Sequence, residues 1–166
     1  MRLIYRRPLM VAGLLAVAAC SQAPASNETG EADGAAATPA AATMSAADVV
    51  QQHVDSMKTG DMDAIMSDYS DDTVVITPQG LVADQEPATG PGVYVGKADA
   101  QRVFSTITAN MDAVKGMETT IEPKGEDVAF LHWVQMKGQP NEVSGTDVFV
   151  VRNSKIEFQD IIVDAQ

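Results

Sequence analysis

The chain has 166 residues, a formal net charge of −12 and a single cysteine. This length is enough for one domain with a hydrophobic core. The negative charge repels phosphate backbones, so we do not expect binding to nucleic acid. With one cysteine, the chain cannot form an internal disulfide bond.

The first 20 residues have the pattern of a secretion signal. A start with three arginines precedes an apolar run from Leu9 to Ala19, which is too short to span a membrane. Residues 17–20, Val-Ala-Ala-Cys, resemble the lipobox of bacterial lipoproteins. The resemblance implies that residues 1–19 are removed and that Cys20 is lipidated. The alternative is ordinary secretion, with Cys20 as a bystander.

Residues 20–44 predict a disordered tether. They are rich in alanine, proline and glycine, contain no aromatic residue and have no periodic apolar face. Ser21 follows the cysteine, as in enteric lipoproteins sorted to the outer membrane, which implies a lipid-anchored protein of the cell envelope at the periplasmic face of that membrane. Membrane contact would then be through Cys20 alone, and residues 45–166 would form the folded domain.

Three helices are predicted in the folded domain. Ser45 and Asp48 have the spacing of a capping box, and Gly60 is a typical helix end. Asp61 is a typical cap for a second short helix, on whose inner face Tyr69 would lie. A third amphipathic helix is predicted over residues 97–111. The five aspartates between residues 61 and 72 are interpreted as helix caps and a solvated turn.

The rest of the domain has strand patterns. The β-branched residues 73–77 predict a strand, and residues 79–92, rich in proline and glycine, predict a long loop over the mouth of any pocket. Two strands are predicted at residues 117–123 and 128–137, followed by a hairpin within residues 143–164. Helices and strands are largely separated along the chain. This order predicts an α+β fold, with helices on one face of a curved antiparallel sheet.

Three stretches carry a resemblance to a known family. They are residues 60–80, GDMDAIMSDYSDDTVVITPQG; residues 92–104, GVYVGKADAQRVF; and residues 144–162, SGTDVFVVRNSKIEFQDII. They resemble the nuclear transport factor 2-like superfamily, in its SnoaL-like and ketosteroid-isomerase-like branches. The resemblance implies a cone-shaped curved sheet with about three helices on its concave face, and a possible homodimer. The fold serves several reactions and also binding, so it does not identify a reaction.

Ketosteroid isomerases use a carboxylate base, a tyrosine and a protonated aspartic acid. Counted along the resemblance, the tyrosine position falls on His53, the base position on Thr77, and the aspartic acid position on Asp147. A threonine cannot abstract a proton at neutral pH. The resemblance therefore implies that this chain is not a steroid isomerase of the known mechanism.

Asp147 and His53 are the candidate catalytic residues. Period-two alternation places Asp147 on the same strand face as Phe149 and Val151, where a carboxylate is either hydrogen-bonded structure or the polar group of a pocket. His53 lies on the inner face of the first helix, where it is either a core residue or a base. We expect the two side chains to lie within direct or one-water hydrogen-bond reach of each other.

The predicted ligand-binding residues are Tyr69, Thr77, Phe104 and Phe149. Both faces of the strand at residues 128–137 are largely apolar, so whether His132 or Trp133 faces the pocket stays open. The chain has two histidines without close His/Asp spacing, so no metal site and no cofactor are expected.

Three functions agree with these patterns. The first is a lipid-anchored protein that binds a small apolar ligand in its cone, and the absence of a base at Thr77 favours it. The second is a SnoaL-like enzyme that uses His53 and Asp147 for acid–base chemistry on a carbonyl compound. The third is a non-catalytic assembly module whose cone is filled by its own side chains.

Overall fold

The computed structural model describes residues 43–165, apart from residue 84 and residues 86–88. The predicted signal segment, Cys20 and the predicted tether up to residue 42 lie outside the described residues. Over the described ranges, no helix is both long and apolar enough to cross a membrane.

The described residues form four helices and six strands. The helices are α1 (Ala46–Thr59), α2 (Met62–Ser67), α3 (Lys97–Ile107) and α4 (Met111–Lys115). The strands are β1 (Tyr69–Thr77), β2 (Gly92–Val95), β3 (Glu118–Pro123), β4 (Val128–Gln135), β5 (Val143–Arg152) and β6 (Lys155–Val163).

The ends of α1 and the start of α2 form as their capping residues predict. The Ser45 hydroxyl accepts the backbone N–H of Asp48 and donates to its carboxylate. Gly60 ends α1 with φ of 74°, in the left-handed region that glycine adopts without strain. The Asp61 carboxylate accepts the N–H groups of Asp63 and Ala64 at the start of α2. These local features fix where α1 begins and ends and where α2 begins.

The six strands form one curved sheet in the order β2-β1-β6-β5-β4-β3. The prediction of an α+β fold with a curved sheet is confirmed. The prediction that the sheet is purely antiparallel is wrong at one pair, because β1 and β6 run parallel. These strands are far apart in the sequence, and no turn between them sets their relative direction, so the local pattern did not reveal it.

Two element boundaries differ from the predicted ones. The helix predicted over residues 97–111 is divided, because the Asn110 side chain accepts the N–H of Ala113 and starts α4. Tyr69 begins β1 instead of lying on the second helix, since α2 ends at its C-cap, Asp68. The sheet therefore gains a longer first strand, and Tyr69 points into the core.

The core lies between the helices and the inner face of the sheet. Helix α1 packs over β3, β4 and β5, and α3 packs against β1 and β2. On β4, Leu131 and Trp133 are buried while His132 is exposed. The face that carries Trp133 therefore looks inward, which resolves the alternative left open by the sequence. His132 instead contacts Thr146 and Glu122 on the outer face.

Candidate functional site

A cavity of about 290 Å³ lies between the helices and the inner face of the sheet. Its rim includes the exposed side chains of Thr106, Asn110 and Val163, and its floor includes buried polar groups. Most of the wall is apolar, formed by Val54, Met57, Leu81, Phe104, Ile107, Ala113, Met117, Leu131, Val143 and Ile161. Leu81 belongs to the loop that we expected over the mouth.

Asp147 lies at the floor of this cavity and is only 7% exposed. The indole N–H of Trp133 donates to its Oδ1, and the amide nitrogen of Gln159 donates to its Oδ2, both at 2.7 Å. Sheet register explains the contacts: Asp147 is paired with Leu131 on β4 and Ile161 on β6. Trp133 and Gln159 are two residues along from these partners, and such diagonal neighbours are within reach of long side chains.

The environment of Asp147 raises its pKa to about 7. The main cause is burial, which penalises the charged carboxylate. The hydrogen bonds from Trp133 and Gln159 act in the opposite direction, and the charge of Asp160 adds a small rise. Near neutral pH, Asp147 is therefore present both as a hydrogen-bond donor and as an acceptor.

A chain of buried side chains connects His53 to this carboxyl group. The Tyr69 hydroxyl donates to Oε1 of Gln159 at 2.5 Å and lies 3.2 Å from Nε2 of His53. Burial, followed by the charges of Asp147 and Asp68, raises the pKa of Tyr69 well above its usual value, so the hydroxyl keeps its proton. Because that proton goes to Gln159, Nε2 of His53 is the donor to the tyrosine oxygen.

No direct hydrogen bond joins His53 and Asp147 among the described residues, and the expected link through one water stays a prediction. Both side chains line the cavity, but the hydrogen bonds of the described residues join them through Tyr69 and Gln159 instead of directly. Gln159 lies on β6, between β1 with Tyr69 and β5 with Asp147. The sequence pattern did not identify it, because its polar side chain lies within an apolar strand that suggested only core.

Asp68 is a second buried acid in this region. It belongs to the five aspartates interpreted as helix caps and a solvated turn; it is the C-cap of α2, but it is only 1% exposed and therefore not solvated. Gln52 donates to its Oδ1 at 2.6 Å, and its Oδ2 lies 3.6 Å from Nδ1 of His53. Asp68 is buried because α2 ends here and its C-cap side chain is turned towards α1. Asp68 therefore lies beside Nδ1 of His53, whereas Nε2 of the same ring contacts Tyr69.

The predicted ligand-binding residues occupy three different places. Phe104 lines the cavity, and Tyr69 and Phe149 are fully buried beside His53. The His53 ring centroid lies 5.2 Å from that of Tyr69, 5.3 Å from Phe104 and 5.9 Å from Phe149. Thr77 is buried but is not part of the cavity wall. The position that the resemblance assigns to the isomerase base therefore does not reach this site.

Trp133 occupies the floor because of the residue opposite it. Its strand partner is Gly145, and a Cβ atom there would lie 2.4 Å from the indole Cζ2. The same atom would lie 2.3 Å from the Ile162 carbonyl oxygen, which cannot move aside as a flexible side chain can. Glycine therefore leaves the space in which the indole lies flat and reaches Asp147.

The described part of the chain contains no group of three or more His, Cys, Asp or Glu side chains arranged to hold a metal ion. The acids near the cavity, Asp147 and Asp68, are each engaged by neutral amide or indole donors. The chemistry of the described floor is therefore that of hydrogen bonding and of one titrating carboxyl group.

Comparison with known proteins agrees with this architecture. Solved structures with the same fold include a protein from Kribbella flavida, which has 16% sequence identity over 72% of this chain and 87% of that chain, with a TM-score of 0.56. An NTF2-like protein from Burkholderia xenovorans has 18% identity over 72% of this chain and 82% of that chain, with a TM-score of 0.54. Another is TerC co-crystallised with polyporic acid, which has 14% identity over 70% of this chain and 89% of that chain, with a TM-score of 0.52. A search of curated protein sequences finds no match. A family model for the SnoaL-like domain matches residues 50–158, so the chain belongs to the SnoaL-like domain family.

Proposed function

We propose that this SnoaL-like domain binds a small, mainly apolar molecule in its cavity and holds one polar group of that molecule at Asp147. The observation that carries the proposal is an apolar cavity whose floor contains a buried, titrating carboxyl group. Its volume of about 290 Å³ is at the small end of ligand pockets. The ligand would therefore be of the size of one ring or a short branched chain.

Asp147 is the group best suited to contact a ligand. The other polar side chains of the floor are engaged with one another: Trp133 and Gln159 with Asp147, and His53 with Tyr69. Each carboxyl oxygen of Asp147 accepts one of these donors and has capacity for another hydrogen bond. A ligand therefore gains a polar contact there without breaking the network.

Acid–base catalysis on a carbonyl compound is the second candidate function. A carboxyl group with a pKa of about 7 is suited to proton transfer near neutral pH. Two features favour binding over catalysis. Nε2 of His53 is engaged by Tyr69, and Thr77 lies outside the cavity wall. TerC, which was co-crystallised with polyporic acid, supports small-molecule binding by analogy of fold alone.

A fluorescence titration tests ligand binding. Trp133 is the only tryptophan of the chain and lines the cavity, so its emission reports on the site. We expect small neutral probes such as benzyl alcohol to change this emission in the full-length protein. Ala113→Phe, which places a ring in the cavity, should abolish the change, and Ala98→Phe on the exposed side of α3 should not. An unchanged response in Ala113→Phe would contradict binding in the cavity.

We further propose that the protein is a lipoprotein anchored through Cys20 to the periplasmic face of the outer membrane. The motif at residues 17–20 and the composition of residues 20–44 support this location. Mass spectrometry of the mature N-terminus tests it. The expected product begins with an acylated Cys20, and a retained leader or an unmodified Cys20 would contradict the anchor.

Pairing of two copies through the outer face of the sheet is the proposed quaternary state. Val93, Val95 and Ile162 are more than 40% exposed on strands β2 and β6, and such apolar patches often mark interfaces. Light scattering coupled to size-exclusion chromatography tests this proposal. A monomer at high protein concentration would contradict it.

A further inference from the structure

We propose that the polar group held at Asp147 is a protonated amine, so that the ligand is a small apolar amine bound as its cation. The inference rests on the proposed ligand-binding function and adds the chemical class of the ligand. It follows from the direction of the hydrogen bonds around the carboxyl group, from the charges in the cavity wall, and from the charge of the whole chain.

The donors around Asp147 are arranged for a carboxylate. Trp133 donates to one oxygen and Gln159 to the other. In this orientation of the Gln159 amide, its oxygen accepts the proton of Tyr69 and its NH₂ group faces Asp147. One donor on each oxygen favours the ionised carboxyl group over the neutral acid.

The described wall carries no permanent positive charge to balance that carboxylate. No lysine or arginine is among the described residues of the wall. Nε2 of His53 contacts Tyr69 and its Nδ1 faces Asp68, so the imidazole is not a hydrogen-bond partner of Asp147, and Asp160 is a further acid. A buried carboxylate without a cationic partner is costly, and an ammonium group on the ligand would offset that cost.

The rest of the site suits the hydrocarbon part of such a ligand. Phe104, Leu131 and Ile161 form apolar wall around the carboxyl group, so a ring or a branched chain would be desolvated there. The chain has a net charge of −12, which attracts cations and repels carboxylate ligands. Among an amine, an alcohol and a carboxylic acid that share one apolar group, the acid should therefore bind most weakly.

The affinity for an amine ligand should increase as the pH rises. Burial raises the pKa of Asp147 to about 7, so the fraction of carboxylate increases between pH 6 and pH 8. Alkyl amines remain protonated over this range, because their pKa is about 10. The titratable groups near Asp147 on neighbouring elements are His53 on α1, Tyr69 on β1 and Asp160 on β6, whose charge raises the pKa of Asp147 although it is not part of the cavity wall. Over the described residues, α3 and α4 add none to the wall.

Three probes of one shape test the inference in the full-length protein: benzylamine, benzyl alcohol and benzoate. We expect benzylamine to bind most tightly at pH 8, with an affinity about tenfold higher than at pH 6, because the carboxylate fraction of a group with a pKa near 7 rises by about that factor. The affinity for benzyl alcohol should change little. Benzoate should bind most weakly at both pH values.

Two variants assign the effect to Asp147. Asp147→Asn should remove both the preference for the amine and its pH dependence, while benzyl alcohol still binds. Asp55→Asn changes an exposed acid on α1 that does not line the cavity, and it should leave both intact. If Asp147→Asn does not fold, amine binding to the unmodified protein that does not strengthen from pH 6 to pH 8 still overturns the proposal.

The outcomes separate this inference from the proposed function. Benzyl alcohol that binds as tightly as benzylamine at pH 8, or amine binding that is insensitive to pH, would overturn the amine assignment and leave ligand binding intact. No binding by any probe would overturn both.

Discussion

Gln159 holds the carboxyl group of Asp147 in a fixed orientation: the amide Nε2 lies 2.7 Å from Oδ2, while the amide Oε1 accepts the hydroxyl of Tyr69. The reversed amide would need a protonated Asp147 that donates to Oε1 and a Tyr69 hydroxyl that donates to His53 instead. In the orientation found here, Tyr69 donates to Gln159 and Gln159 donates to Asp147, with Nε2 of His53 beside the tyrosine oxygen. The floor of the cavity is an ordered polar network and not a set of independent core residues.

The first prediction concerns the Tyr69 hydroxyl, which we expect to stabilise the fold. Tyr69→Phe leaves Oε1 of Gln159 and Nε2 of His53 buried without their partner, which should cost about 1–3 kcal/mol in the free energy of unfolding. Tyr94→Phe is a matched control, because the buried Tyr94 hydroxyl has no hydrogen-bond partner among the described residues. Urea unfolding compares the two variants, and equal costs would contradict the network.

The second prediction concerns the stability of the protein as a function of pH. Burial raises the pKa of Asp147 from 3.8 to about 7, so the folded state binds its proton more tightly than the unfolded chain does. That contribution is fully present below about pH 4 and is lost as the pH rises through about 7. We expect the free energy of unfolding to fall by about 2–3 kcal/mol between pH 5 and pH 8.

Asp147→Asn isolates this contribution, because asparagine does not titrate. Its unfolding free energy should change less than that of the unmodified protein over the same pH interval, and Asp160→Asn should keep most of the decrease. Chemical denaturation at several pH values provides the comparison. A parallel pH profile in Asp147→Asn would show that another group is responsible.

The third prediction concerns the donor that Trp133 provides. Its indole N–H lowers the pKa of Asp147 against the effect of burial. Trp133→Phe removes this donor and should move the midpoint of the Asp147 titration upwards, to above about 7. Carboxyl carbon chemical shifts measured by NMR follow the midpoint directly. A downward shift would mean that water enters the space and that burial is not the dominant cause.

The fourth prediction concerns the glycine beneath the indole. Gly145→Ala places a methyl group within 2.4 Å of Trp133 and 2.3 Å of a backbone oxygen, so the strands must separate or the indole must leave the floor. Overpacking of this kind costs about 1–3 kcal/mol. Gly116→Ala is a milder control, since its φ is −84° and its nearest contact is 3.2 Å. Equal stability of the two variants would contradict the packing described here.

Much of the fold could be predicted from local patterns. Ser45, Gly60 and Asp61 mark helix ends in the sequence, because a helix cap depends only on the capping residue and on backbone groups within four residues of it. The period of two along β5 placed Asp147 on the buried face with Phe149, as the structure shows. These features depend on neighbours in the sequence, so the sequence alone is sufficient to reveal them.

The features that were missed depend on residues that are distant in the sequence. The parallel pairing of β1 with β6 has no local signal, and the burial of Asp68 follows from how α2 ends beneath α1. Gln159 gains its role only from the register that places it between Tyr69 and Asp147. Gln159 lies two residues before the buried Ile161 on β6, so both side chains are on the same face of the sheet. This alternation was the one sign in the sequence that an amide faces the core.

The most direct test of ligand binding at Asp147 is the measurement of intermolecular nuclear Overhauser effects between bound benzyl alcohol and the full-length protein. Binding in the cavity predicts effects to the indole of Trp133, to the methyl groups of Ile161 and to the ring of Phe104, all of which line it. Effects confined to Val93, Val95 and Ile162, which are exposed apolar side chains elsewhere on the sheet, would contradict binding in the cavity. The absence of any effect from a probe at saturating concentration would contradict it equally.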